Sequence, residues 1–180
     1  MIEVHADASD FAHLARGIAR LPEEIKVKAA SRAMRRITQM ARTRIVKRSA
    51  DRVELTQARV RALTTVHMNA GGNSADVVMR SNWIGLFKLG ATQTKSGVRV
   101  RGRGSYRHAF IAKMASGHSG VFMRVGDPIW KSTPIRELFG PNPAHDVTNN
   151  PDVFLQVLAE LIEERLLPRY LHEVENLLPR

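Results

Sequence analysis

The sequence predicts an α+β fold: N-terminal helices, a four- to five-stranded, mainly antiparallel sheet, a short helix and a long C-terminal helix. Three observations predict it. Apolar residues recur four apart from Ile25 to Ile45, the period of a helix face. From Ala62 to Val125 the period shortens to two, with β-branched residues broken up by glycine turns. Asn150-Pro151-Asp152 then gives a helix start, ahead of Phe154, Val157, Leu158, Leu161, Ile162 and Leu166 at helical spacing. At 180 residues the chain is expected to form one domain, helical over 11–61, sheet over 62–126, and helical again over 127–180.

In chain order, Phe11, Leu14, Ala15, Ile18 and Leu21 predict a short amphipathic helix over 10–21, capped by Ser9 or Asp10. Pro22 opens a longer helix, with Glu23 and Glu24 placed to complement the dipole. Its stripe of Ile25, Ala29, Ala33, Ile37, Ala41 and Ile45 is thin, so another element can approach closely. Lys28, Arg32, Arg35, Arg36 and Arg42 occupy the other face, and 55–63 adds a further helical turn or two. Strands are expected over 62–68 and 75–80 around a glycine turn. The apolar run 81–89 fits either helix or strand, and 90–97 is small and polar and contains no acid. A strand over 97–102 puts valines on one face and arginines on the other, a turn follows at 103–105, and another strand lies within 106–114. Residues 142–150 read as loop, and Pro168 should kink or interrupt the last helix.

The stretch from Gly120 to Pro141 anchors this plan. A strand through Phe122 and Arg124 ends at Gly126-Asp127-Pro128. Pro134 then suits the first turn of a short helix carrying Ile135, Leu138 and Phe139. Ser132 or Thr133 would cap it, Glu137 would sit near its positive end, and Gly140-Pro141 would stop it, with Gly140 at positive φ. Trp130 and Phe139 near this joint present large aromatic surface that suits a core or a partner.

Charge is unevenly spread. Residues 20–61 hold thirteen Lys/Arg against four acids, and 80–113 hold eight basic residues and no acid. From Asp127 onward nine acids face five basic residues. Such a chain can stack head to tail on copies of itself, or lay its basic part on a polyanion. Arg99, Arg101, Arg103 and Arg107 are the best binding candidates, because alternate positions project from one strand face toward a run of phosphates. Tyr106 is the only aromatic near them, which argues against a single-strand stacking platform.

No chemistry of the catalytic kind is legible. The chain has no cysteine, and its seven histidines lack metal-ligand spacing. Neither a Gly-x-Ser-x-Gly elbow nor a phosphate loop occurs. The expectation is a non-enzyme without cofactor or metal. The first ten residues lack the pattern of a secretory signal and no run is long enough to span a bilayer, so a cytoplasmic start is expected.

One ordered set of motifs resembles a known family. Gly97-Val-x-Val, Ala109-Phe-Ile-Ala-Lys-Met, Gly120-Val-Phe-Met-Arg and Pro134-Ile-Arg-Glu-Leu-Phe-Gly-Pro are similar to the minor tail protein Z family of long-tailed phages and prophages. Leu21-Pro22 followed by Ala33 and Arg36 resembles that family's opening, and the likeness runs from about Phe11 to Leu171. Asn142 stands where the family would place a small serine, a departure expected to touch only a loop.

The resemblance implies a structural virion protein that completes the tail or joins it to the head, in a ring, often of six copies. Its partners would be other tail or connector proteins, with non-specific contact to DNA in the channel. Phe122, Arg124, Trp130, Pro134, Ile135, Glu137, Leu138, Phe139, Gly140 and Pro141 would then carry fold and subunit contacts. The competing expectation is a stand-alone nucleic-acid-binding protein acting through its basic surface.

Overall fold

The computed structural model describes residues 16–72, 74–126 and 134–178. The α+β class is borne out. Contacts group the chain into two compact units, 1–45 with 64–78 and 152–180, and 46–63 with 79–151.

The first unit is built on long helices. Helix α1 spans Glu23–Arg52 and contributes its residues up to Ile45 here. The thin stripe is where it was expected: Ala29, Ala33, Ile37, Ala41 and Ile45 are all buried. After α2 (Gln57–Leu63), which belongs to the other unit, strands β1 (Thr64–Met68) and β2 (Ala75–Met79) form a hairpin. The last helix of the chain, Pro151–Leu177, starts at the predicted Asn-Pro signal and continues through Pro168 without interruption. Ile37, Ala41 and Leu161 form the core of this unit, with Met40, Val77, Leu158 and Leu166 packed around them. Small residues on α1 let the leucines of the last helix come close, as the alanine stripe requires.

The second unit is mostly strand. Among the described residues it holds β3 (Ala91–Thr94), β4 (Gly97–Val100), β5 (Gly104–Arg107), β6 (Ala109–Lys113), β7 (Ser119–Arg124) and β8 (Ile135–Glu137). They make two antiparallel three-stranded sheets, in the orders β3-β4-β5 and β6-β7-β8. One sheet of four or five strands was expected. His108, at a φ of 60°, turns the chain between β5 and β6 and separates the sheets. The small, polar stretch 90–97, to which the sequence assigns no element, supplies β3, whose backbone groups are satisfied by pairing with β4. Leu86, Val98, Val100, Ala109 and Val121 make the core of this unit. Val46, Ala50 and Val60, with Leu55 and Met79 against them, make a smaller cluster.

Two other expectations fail for a shared reason. The segment after Pro134 is not a helix: Ile135, Arg136 and Glu137 pair with Arg124, Met123 and Phe122 of β7. Pairing in the sheet offers Leu138 a place against the core, which an isolated turn of helix could not. The short helix of the fold lies later, as α3 (Pro143–Asn149), where loop was expected. Asn142 caps it by accepting from the Ala144 N–H, with Pro143 at the first helical position. The same buried side chain accepts from the Asn82 N–H and donates to Ser81 Oγ, so Asn142 fixes a distant strand end as well as a helix start. Helix α4 (Pro151–Leu177) follows at once.

Candidate functional site

The residues singled out from the sequence separate into fold-bearing and surface groups. Phe122 is buried, its ring 6.2 Å from that of Phe110 and edge-on to His118 at 6.4 Å. Arg124 lies over the Phe110 ring, with its guanidinium carbon 5.8 Å from the centroid. Glu137 receives a 2.9 Å contact from His118 Nε2 and lies so close over Gly120 that a Cβ there would sit 2.7 Å from its carboxylate. It therefore ties β8 to β7 and does not reach outward. Leu138 packs on the core, and its N–H donates to the Val121 carbonyl.

Gly140 needs a different explanation from the one the sequence offered. It is not among the glycines at positive φ. Its N–H donates to the Ile84 carbonyl at 2.7 Å, and a Cβ would meet Leu89 Cδ1 at 2.6 Å. Close approach, not handedness, requires the glycine. Pro141, half-buried, follows it and leads to the Asn142 cap.

Ile135 and Phe139 remain outside, 42% and 49% exposed, beside exposed Pro134. Ile135 opens β8, the edge strand of its sheet, and Phe139 lies two residues past it, bridged to Gly85. Trp130 and the Ser132/Thr133 cap lie outside the described residues.

The four arginines do not form one row. Only Arg99 sits within β4, between Val98 and Val100, which are each 1% exposed and turn their side chains into the core. Arg99 pairs in register with Thr92 and Ser105, so those three share the outward face. Arg107 lies opposite Gly97, one row further along. Arg101 belongs to the turn after β4. Arg103 is engaged elsewhere: its guanidinium donates to the Val53 and Glu54 carbonyls just past the end of α1. A cation there satisfies carbonyls that a helix terminus leaves without intrahelical partners. Glu54, at a φ of 51°, makes that end a left-handed stop.

A shallow depression of about 280 Å³ opens beside Arg99 and Arg101, lined also by Gly90, Thr92 and Gly102. A second hollow of about 490 Å³ lies by Trp83, with Arg59, Asn82, Ile84 and Lys88 among its lining. Trp83 is 54% exposed, its ring 6.0 Å from that of His145. The sequence did not reveal this second hollow. Residues 81–89 follow neither period, so nothing in them could say which side of the chain faces out; they form an extended segment and one 3-10 turn, Leu86–Leu89.

Among the described residues no group of three or more His, Asp or Glu side chains could hold a metal ion. Nor is any described helix long and apolar enough to cross a membrane. No family model, curated protein or solved structure matches this chain.

Proposed function

We propose that this chain is a structural virion component of a long-tailed phage or prophage, one that completes the tail or joins it to the head as part of a ring. The observation that carries the reading is the free edge at β8. A three-residue strand bonds to β7 on one side and leaves its other edge open over Ile135–Glu137, with Ile135 exposed. From Leu138 to Gly140, by contrast, the chain is bonded to residues 84–86. An unpaired strand edge can add a strand from a neighbouring subunit, because main-chain bonds supply affinity and the side chains beside it supply register. The motif that resembles the phage family, Pro134 to Pro141, is the segment that forms this edge. A heterologous contact of this kind repeats around a ring when its rotation closes.

The test is the composition of purified particles. The polypeptide should copurify with mature phage, and deletion of its gene should leave unjoined heads and tails. Infectious particles of normal yield without it would end the proposal. A second reading, a nucleic-acid-binding protein that acts alone, is favoured by the outward arginines of β4 and its following turn. It predicts absence from particles and DNA retention by the free monomer at physiological salt.

A further inference from the structure

We infer that the depression beside Arg99 and Arg101 is a subsite for the phosphodiester backbone of duplex DNA. The inference deepens the second reading above, whose outward arginines it uses, and its test needs no virion. Burial on the inner face fixes where the subsite points. Val98 and Val100 lie in the core, so Arg99 between them must project outward, beside Thr92 on β3. Beyond β4 the chain turns tightly, with the Arg103 N–H bonded to the Val100 carbonyl and Gly102 at a φ of 74°. Gly90, at a φ of 80°, ends the 3-10 turn on the other side. Side chains at these two glycines are excluded by backbone conformation, which keeps the hollow open. At about 30 Å³ per water, 280 Å³ is room for about nine waters, ample for a phosphate and its ester oxygens.

The chemistry selects an anion. Neither Arg99 nor Arg101 has an ion pair or side-chain hydrogen bond among the described residues, and no acid occurs anywhere in 80–113. Two arginines and a threonine line one hollow, with no acid paired to either arginine, a set matched to phosphate oxygens. Arg107 extends the cationic face one row along the sheet.

The lining also selects the polymer. It has no apolar side chain, whereas a protein partner would require an apolar centre to its interface. It has no aromatic for bases to stack on, so a single strand gains little there. Duplex backbone asks only for cations and donors, and reads no sequence.

Binding of the full chain to a short labelled duplex of arbitrary sequence, followed by fluorescence anisotropy across a salt series, tests this. Changing Arg99→Gln together with Arg101→Gln should weaken binding at least about tenfold at low salt and lower the log–log salt slope by about 1.8. The paired Arg99→Lys and Arg101→Lys variant keeps the charge and loses the fork. It should retain the slope while losing affinity, and it supplies the readout if the glutamine pair proves unstable. An unchanged slope in the glutamine pair, or loss of the slope on changing Arg35 and Arg36 of α1 instead, overturns the site. Displacement of the duplex by poly-glutamate at equal charge concentration overturns its assignment to phosphodiester. Normal DNA binding by a protein that is absent from particles would refute the virion reading and leave the subsite standing.

Discussion

The long helices and the β3-β4-β5 sheet treat charge differently. In the helical unit, acids and bases far apart in sequence meet. Arg32 reaches Glu173 at 3.9 Å, Arg44 reaches Glu164 at 3.6 Å, and Glu173 is further held by Arg169. In the strand-rich unit Arg52 likewise meets Asp146 at 3.1 Å, but Arg99, Arg101 and Arg107 point outward without such partners among the described residues. A linear reading gives a basic front and an acidic back suited to stacking copies head to tail. Folding α1 against α4 neutralises part of that contrast within one unit. Cations without such a partner among the described residues stand on α1 (Arg35, Arg36, Lys47 and Arg48) and on the β3-β4-β5 sheet with its following turn, where in addition no acid lies nearby in sequence.

The difference can be broken at the cores first. Leu161→Ala in the helical unit and Leu86→Ala in the strand-rich unit, both fully buried, should each cost about 3 kcal/mol in denaturant unfolding. Hydrogen exchange sharpens the result. Leu161→Ala should first lose protection in α1 and α4, and Leu86→Ala in β3 to β8; identical maps for the two would argue against two units. Next in size is Gly140→Val. It should cost about 2 kcal/mol by overpacking against Leu89 and the Ile84 carbonyl, although no left-handed backbone is involved. Unchanged thermal stability there would show that Leu89 can move aside freely.

Smallest are the ion pairs. Glu173→Gln removes a carboxylate that is only 6% exposed and should cost about 1–2 kcal/mol, retained at high salt. Glu164→Gln removes an exposed partner of Arg44, should cost under about 0.5 kcal/mol, and should be invisible at high salt. Equal effects for the two would remove the distinction between buried and surface charge within the helical unit.

Much of the helical unit was legible because a helix face writes itself into the sequence as a period. Spacing alone puts Ala29, Ala33, Ile37, Ala41 and Ile45 on one helix face, and they are buried. The Asn150-Pro151 start of α4 was equally plain, since capping chemistry is local. Pro168 misled because α4 accommodates a missing backbone donor that propensity alone penalises. On the strand side, the alternation of Val98, Arg99 and Val100 gave the faces of β4 correctly. The fate of each arginine was not legible. Arg103 differs from Arg101 by the two carbonyls within its reach, and those come from residues about fifty positions earlier.

By itself the sequence determined which segments are helical or extended near strong local signals, which faces are apolar, and where cations lack acids close by. These follow from periodicity, capping and composition, and they need only neighbours along the chain. The tertiary structure decided that Pro134 to Glu137 is an edge strand, that Asn142 caps a helix while holding Ser81 and Asn82, and which arginines stay free. Each of these turns on a backbone or carboxylate partner brought close only by folding. A hydrogen bond across many residues leaves no period in the sequence.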